Sequence, residues 1–454
     1  MNRSDTIIAP ATPPGEGGVA IVRISGADAL SALMSYFKTT TTSFPLKSHH
    51  LYHGFLTDQD GCMVDEVMAV YMAAPHTYTR DDVVEIQCHG SQQVVKSILR
   101  LYQAYGLRLA EPGEFTFRAY MNGRLDLSQA EAVAELIHAK TDSSRRLALT
   151  QMDGALSREI YSFAATLKRL LVLIEAWIDF PEEDLPPEDL AHITSSISQV
   201  RSKVNIITDS YNFGRVLTEG ASLLLIGEPN AGKSSLMNAL LGEDRAIVTA
   251  VPGTTRDILE EGLVIGGVPV RLIDTAGLCE SVDQVELEGI RRAEKKLSQA
   301  DLVLWVIDSS GSIATENHKI YNQCVGLPTF QVFTKQDVVA DFIDPTSGMA
   351  KQYRVSSKTG EGLDVLRNGI ADFLIGGEVS AAESILLTER RHHEVLLLCS
   401  EALSRVAKSQ TAGTSLEFWA VDLREALHFL GQISGETTTE DVLGDIFSGF
   451  CIGK

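Results

Sequence analysis

Positive charge is scarce in this chain. Its 454 residues carry 39 Lys and Arg against 60 Asp and Glu, a formal net charge of −21 with a pI near 4.9. That balance excludes a generic polyanion binder, so any nucleic-acid substrate needs a local basic patch or a partner to bring it. Cysteine is sparse as well. Cys62, Cys88, Cys279, Cys324, Cys399 and Cys451 are scattered with no paired spacing, which argues against a zinc site or a disulfide scaffold and fits a reducing compartment. The stretch from Met1 to Pro10 lacks the charged-then-apolar pattern of a signal peptide, and no apolar run is long enough to cross a bilayer. The expectation is a soluble cytoplasmic protein with no membrane partner. With 44% hydrophobic and 22% charged residues the composition is globular, and the length suggests about three domains.

What is present centres on Gly227-Glu-Pro-Asn-Ala-Gly-Lys-Ser-Ser235, which fits G-x-x-x-x-G-K-[ST]. The apolar run Leu223 to Ile226 precedes it and a helix-like run, Leu236 to Leu241, follows. Strand, glycine loop and helix in that order are the context of a phosphate-binding loop. The glycines let backbone N–H groups turn inward toward phosphate oxygens, and the helix N-terminus adds partial positive charge. Asn230, Ala231, Gly232, Lys233, Ser234 and Ser235 then form the cradle, with Lys233 reaching the β- and γ-phosphates and Ser234 ligating Mg²⁺.

Strand-like runs recur at Val270 to Ile273, Leu302 to Ile307, Thr329 to Phe333 and Tyr353 to Val355, a βαβ alternation that predicts a parallel sheet. Further elements lie at the strand ends. In Asp274-Thr275-Ala276-Gly277 the carboxylate can hold Mg²⁺ through water and the Gly277 N–H can reach a γ-phosphate. In Gly253-Thr254-Thr255-Arg256-Asp257 a threonine can ligate Mg²⁺ only while the γ-phosphate is present, which makes a switch. Asp337, in Thr334-Lys335-Gln336-Asp337, can accept from guanine N1 and N2, and the Lys335 stem can cover the base. Ser356-Ser357-Lys358 supplies a backbone N–H for guanine O6. Five such matches in order predict GTP as the nucleotide, mainly on Asp337.

Three absences mark this region. GTP-binding proteins usually read Asn-Lys-x-Asp, the Asn amide bracing the loop and approaching guanine N7; Thr334 stands there instead, which predicts weakened affinity more than altered base choice. No glutamine follows Gly277, where Leu278 and Cys279 stand, so another group orients water; Glu280, Asp283, Glu286 and Glu288 are candidates that spacing does not separate. No arginine finger is identifiable. Asn230 and the loop from Thr249 to Thr254 can instead offer oxygens to a monovalent cation at the phosphates.

The flanks differ in character. Residues 1–120 read as an α+β domain, with strands at Ile7 to Ala9, Val19 to Ile24, Leu51 to Leu56, Val64 to Met72 and Val83 to Cys88, and a helix over Gln92 to Tyr105. Arg23 and the segment Glu111-Pro-Gly-Glu-Phe-Thr-Phe-Arg-Ala-Tyr120 read as turns with solvated charges. Residues 121–216 are helical: Ser128 and Glu131 have capping-box spacing, and Leu149, Met152, Leu156, Ile160, Phe163, Leu167, Leu170, Ile174 and Trp177 form one long stripe. Pro181, Pro186 and Pro187 end that helix, and Ile193 to Ile207 begins another. Helical patterning returns over 380–454, at His392 to Val406 and from Leu416 to Leu430. The economical arrangement packs the two helical segments together, with the nucleotide domain, 217–379, inserted between them.

End to end, the chain resembles the MnmE (TrmE) family of tRNA-modification GTPases. The resemblance is carried by Thr12-Pro-Pro-Gly-Glu-Gly-Gly18 with Ile21-Val-Arg-Ile-Ser-Gly26, by Glu111-Pro-Gly-Glu-Phe-Thr116 and Gly123-Arg-Leu-Asp-Leu127, by the inserted G domain, and by Ile446-Phe-Ser-Gly-Phe-Cys-Ile-Gly-Lys454. It implies a multidomain α/β fold, a Ras-like P-loop G domain inserted into an all-α helical domain and preceded by an α+β folate-binding domain that dimerises. It implies a K⁺-stimulated GTP hydrolase that forms a homodimer and works with the flavoprotein MnmG (GidA). Together they build an aminomethyl or carboxymethylaminomethyl group at carbon 5 of the wobble uridine of certain tRNAs. The one-carbon unit comes from a tetrahydrofolate, 5-formyl or 5,10-methylene, and the partner supplies FAD and NADH chemistry.

By the same resemblance Asn230, Thr249, Val251 and Thr254 hold K⁺, while Ala250, Pro252 and Gly253 complete that nucleotide-contacting loop. Ser234 and Thr255 hold Mg²⁺, and Glu286 orients the attacking water. Arg23, Glu85, Arg124 and Lys454 contact folate, Arg124 standing where the family often has Lys, and Cys451 falls on a terminal cysteine close to the modification chemistry. Two other readings fit the G domain: a GTP-dependent ribosome-assembly factor, disfavoured by the lack of an evident RNA-binding module after it, and a folate-binding scaffold with an inactive G domain.

Overall fold

A computed structural model describes residues 5–40, 45–180, 187–242, 260–274, 300–310, 326–338, 351–375, 385–412 and 414–453. The chain forms two compact units, one from Met1–Ala134, Gln151–Ile193 and Arg405–Lys454, the other from Glu135–Thr150 and Thr194–Ser404.

In the first unit seven strands form one sheet: β1 (Ile7–Pro10), β2 (Gly17–Ser25), β3 (Phe37–Thr39), β4 (His50–Thr57), β5 (Met63–Met72), β6 (Val83–Gly90) and β7 (Arg108–Leu109), in the order β3-β4-β5-β6-β2-β1-β7. All pairs are antiparallel except β1 with β7. Alternation decides the faces: Val22 and Ile24 of β2, and Val84 and Ile86 of β6, are buried against α1 (Ala29–Tyr36) and α2 (Gln92–Tyr105), whereas Arg23 and Glu85 point the other way. Helix α2 spans the expected residues and ends at Gly106, φ +115, whose left-handed backbone closes the last turn.

The segment after β7 is not a solvated turn. It is α3 (Glu114–Met121), and Glu114 and Arg118, one helical turn apart, are buried together. Glu114 accepts from Arg108 at 2.6 and 3.1 Å, from Arg118 at 3.0 Å and from the Glu111 N–H at 2.9 Å. Asp5 completes the cluster, pairing with Arg108 at 2.7 Å and Arg118 at 2.8 Å. Charges the sequence places in water are thus matched inside.

Helix α4 (Leu127–His138) also begins differently from expectation. Asp126 is the cap: its Oδ1 accepts from the Gln129 N–H at 2.9 Å while Gln129 Oε1 accepts from the Asp126 N–H at 3.0 Å, a reciprocal box two residues before the Ser128–Glu131 pair. Ser128 instead donates to Asp126 and hydrogen-bonds Ser157 at 2.8 Å. The long apolar stripe is shared by two helices, α5 (Asp142–Met152) and α6 (Ala155–Asp179), because Gly154 (φ +81) breaks the backbone between them. Helix α6 ends at Asp179, and Pro187 opens α7 (Pro187–Asp209), where a missing N–H costs nothing.

In the second unit α8 (Tyr211–Thr218) leads into the six-stranded sheet of β8 (Ala221–Ile226), β9 (Glu260–Ile265), β10 (Val268–Asp274), β11 (Leu302–Asp308), β12 (Thr329–Thr334) and β13 (Lys351–Arg354), ordered β13-β12-β11-β8-β10-β9. Five strands are parallel; β9 is antiparallel to β10 and departs from the expected all-parallel pattern. The reason is local: Gly266 and Gly267, φ +59 and +83, make the two-residue hairpin that parallel strands cannot use. The central strands are buried on both faces. Leu223, Leu225, Leu304 and Val306 pack in a core with α9 (Lys233–Leu241) and α10 (Leu363–Ile375), and Leu224, Ile226, Val303, Trp305 and Ile307 pack on the opposite face.

Three helices follow, α11 (Arg390–Thr411), α12 (Leu416–Ser434) and α13 (Glu440–Ser448). Helix α12 lies along α6 in the first unit, joined by the Arg424–Glu175 ion pair at 2.6 Å. Helix α13 packs on α3, Phe447 edge-on to Phe117 at 5.3 Å. No helix among the described residues is long and apolar enough to cross a membrane.

Candidate functional site

The phosphate-loop sequence folds as its composition requires. Gly227 (φ +158) passes so close to β11 that a Cβ would strike the Val306 carbonyl. Asn230 and Gly232 take positive φ, +64 and +93, and Gly232 caps α9. The loop thereby turns from β8 into a helix N-terminus, where amide dipoles favour an anion. Lys233 is 8% exposed, and its ammonium donates to the carbonyls of Gly227 and Glu228, both at 2.9 Å. Two neutral carbonyls hold the charge in place without neutralising it, which fits phosphate. Ser234 and Ser235 are exposed at the first turn of α9, and Ala231 is buried beneath the loop.

The loop expected to read the base sits where β11 and β12 end side by side, Asp308 paired with Thr334. Three consecutive residues are strapped to β11. The Thr334 hydroxyl donates to Ala231 O at 2.6 Å and lies 3.2 Å from Ile307 O. Lys335 (φ +59) pairs with Asp308 at 2.5 Å, and Gln336 donates to Ser309 at 2.7 Å. Burial works against the Asp308 charge, but Lys335 and the Ser310 hydroxyl and N–H outweigh it and hold the carboxyl below its ordinary value. Thr334 therefore supplies the brace to the phosphate loop that its substitution for Asn had put in question.

Asp337 is exposed, and its Oδ1 accepts from the buried Ser356 hydroxyl at 2.9 Å, which fixes the carboxylate. Ser356 also accepts from the Thr359 N–H at 3.2 Å. Sequence reasoning assigned Ser356 a backbone role and missed its side chain. It missed Asp308 too, although a carboxylate directly after an apolar strand was the signal used for Asp274. Ser357 and Lys358 follow at the same edge. The backbone of Asp274 ends β10 beside Leu225 of β8, two residues before the loop begins at Gly227. Thr249, Ala250, Val251, Pro252, Gly253, Thr254, Thr255, Thr275, Ala276, Gly277, Glu280, Asp283, Glu286 and Glu288 lie outside the described residues, as do Lys454 and the Asp274 side chain.

A second cluster forms in the first unit. Arg23 and Glu85 are cross-strand partners on β2 and β6, and the guanidinium meets the carboxylate at 2.8 and 2.9 Å. Arg23 also reaches Gly453 O at 3.4 Å, which brings the C-terminal tail to the sheet. Gly453 (φ +94) is buried so tightly that a Cβ would strike the Pro10 carbonyl. Tyr78, which falls in none of the motifs picked out above, links the group. Arg124 lies 4.7 Å above its ring and Arg23 5.8 Å from it. Its hydroxyl meets Thr116 Oγ1 at 2.9 Å, and burial raises its phenol despite that bond and the two guanidiniums. Phe115 lies 5.7 Å from Arg23, and Arg124 donates to Thr77 O at 3.2 Å. Aromatic faces, cations and one carboxylate gathered in one cluster suit a flat heterocycle bearing amide-like edges and an anionic tail. Cys451 is exposed beside this cluster, its carbonyl accepting from the Gly113 N–H at 3.4 Å.

Known proteins resemble this chain along its whole length. Residues 6–124 match the model described as the N-terminus of the GTP-binding protein TrmE, and residues 127–451 match that of the MnmE helical domain. The tRNA modification GTPase MnmE of Syntrophotalea carbinolica is 46% identical over 456 residues, covering 100% of both chains. That of Geobacter sulfurreducens is 44% identical with the same coverage, and that of Aquifex aeolicus 43% over 99% of this chain and 100% of its own. With a phosphate-loop sequence that folds between strand and helix and likeness along its whole length, the chain belongs to the MnmE family of tRNA-modification GTPases.

Proposed function

We propose that this tRNA-modifying GTPase works with the flavoprotein MnmG to add an aminomethyl or carboxymethylaminomethyl group to carbon 5 of a wobble uridine. The observation that carries the one-carbon part is the Arg23–Glu85–Tyr78–Arg124 cluster with Gly453 beside it. Glu85 is an acceptor for the amino and ring N–H edge of a pterin, Tyr78 and Phe115 offer faces, and Lys454, next to Gly453, would meet a glutamate tail. The ligand is a tetrahydrofolate, 5-formyl or 5,10-methylene, and supplies the carbon; FAD and NADH belong to the partner. Cys451 is then near enough to take part.

In the G domain Lys233 and the α9 N-terminus bind the phosphates, and Ser234 with Thr255 would hold Mg²⁺. Asn230 with Thr249, Val251 and Thr254 would hold K⁺, adding positive charge where the transition state gathers negative charge. Glu286 would orient water. We place the N-terminal domain at 1–120, the helical segments at 121–216 and 380–454 and the G domain at 217–379, with a homodimer formed through the first and a cytoplasmic location. The acidic balance fits tRNA carried largely by the partner. Nucleoside mass spectrometry of bulk tRNA from cells lacking the protein, beside complemented cells, tests the pathway: the five-substituted wobble uridines vanish and return. Their persistence refutes it. KCl accelerates hydrolysis well beyond NaCl, and Glu286→Ala removes most of the rate while sparing nucleotide binding; retained turnover rejects the role given to Glu286.

A further inference from the structure

We propose that this GTPase reads guanine without contacting N7, because Thr334 commits its one proton to the phosphate loop. A hydroxyl has a single O–H to donate. The two neighbours of Thr334 Oγ1 are carbonyls, Ala231 O at 2.6 Å and Ile307 O at 3.2 Å, and both are acceptors only. The shorter distance identifies Ala231 as the recipient. Thr334 is 2% exposed, and a Cβ on Gly232 would stand 3.4 Å from its hydroxyl, so the side chain fills the space between β12 and the phosphate loop. An asparagine amide has two donors and can brace the loop with one while offering the other to N7. Threonine cannot do both.

The rest of the loop is built as though that contact were dispensable. Lys335 and Gln336 are tied to Asp308 and Ser309, so the loop is held from β11 rather than from the base. Asp337, oriented by Ser356, keeps the two acceptors that face N1 and N2. Thr334 is thus a positioning residue for the phosphate loop, and discrimination falls to Asp337 on the Watson–Crick edge. N7 is left unread.

The test compares GDP with 7-deaza-GDP, which has C–H in place of N7, and with inosine diphosphate, which lacks the N2 amine, on the full-length protein by competition. For the wild type 7-deaza-GDP binds within about twofold of GDP, while inosine diphosphate binds several-fold more weakly. Thr334→Asn supplies the second donor, so 7-deaza-GDP becomes about three- to tenfold weaker than GDP, the fold-change of one hydrogen bond. Thr334→Ser keeps the wild-type ratio. Thr334→Val weakens GDP and 7-deaza-GDP equally, because what it loses is the brace. A wild type that binds 7-deaza-GDP more than about threefold less tightly than GDP overturns the proposal. So does a ratio that stays at one in Thr334→Asn, or an inosine diphosphate affinity equal to that for GDP.

Discussion

Replacing Glu114 by Gln tests how the N-terminal site is held. Glu114 is fully buried, and four hydrogen bonds converge on it from Arg108, Arg118 and the Glu111 N–H. Removing one partner of a buried ion pair costs about 3–5 kcal/mol when the other charge is stranded. Here Asp5 still pairs with both arginines, and Gln keeps one acceptor oxygen, so the expected loss is smaller, about 2–3 kcal/mol. Helix α3 also carries Phe115 under Arg23 and Thr116 against Tyr78, so the loss reaches the candidate folate site. Hydrogen exchange on the intact protein reads it locally. Peptides covering β1 and α3 should open about 30- to 150-fold more often, with G-domain peptides unchanged. The pH dependence has a definite sign. Burial alone would raise the Glu114 carboxyl, but Arg108, the Glu111 N–H and Arg118 outweigh it and hold it below its ordinary value; Asp5 is lowered chiefly by its bond from Arg108. Their stabilisation is therefore full above the ordinary carboxylate range and lost as pH falls through the lowered folded-state values. Glu114→Gln flattens that acid limb. A change in exchange of less than about twofold at pH 7, with the acid limb intact, would refute the buried-cluster account.

Ser356→Ala frees the Asp337 carboxylate and should weaken GDP by about three- to tenfold, measured by titration, with ATP still excluded. Gly453→Ala places a Cβ against the Pro10 carbonyl at a positive φ, so the tail leaves the sheet. Binding of 5-formyltetrahydrofolate should drop tenfold or more while GTP hydrolysis is kept; equal folate binding counts against a tail contribution. Arg124→Lys keeps the charge but loses the planar guanidinium over Tyr78, and should weaken folate by about two- to fivefold.

The parts of the fold legible in the sequence were those where one residue's neighbours in space are its neighbours in chain. Helix α2 was readable from its stripe, and the central strands β8, β11 and β12 from apolar runs. Helix α3 was not, because Pro112 and Gly113 suggested a turn and the charges suggested water. Its signal was the four-residue spacing of Glu114 and Arg118, which carries meaning only once Asp5 and Arg108 are known to be near. The stripe through Leu149 and Trp177 ran across Gly154 because periodicity registers side chains and not the φ at which a glycine breaks a helix. The cap of α4 was placed two residues late because Ser128–Glu131 and Asp126–Gln129 both fit the box, and the choice between them depended on Ser157, far along the chain.

At the nucleotide site the same division separates ligand contacts from their supports. Phosphates and guanine impose fixed spacings on the residues expected to touch them, so Lys233 and Asp337 stand out in a single sequence, while Ser356, which orients Asp337, does not. The supports obey strand adjacency instead. Thr334 braces Ala231 from 103 residues away, and Lys335 and Gln336 reach Asp308 and Ser309 from 27 residues away. These distances become necessary once β12 lies parallel to β11 with Asp308 opposite Thr334. The residues after each strand then emerge together at one edge, and a carboxylate on one meets an ammonium on the other. A departure from a ligand-contact motif is therefore best judged against the strand neighbour. Thr334 looks like a loss when compared with Asn, yet its hydroxyl donates to Ala231 O and so ties β12 to the phosphate loop.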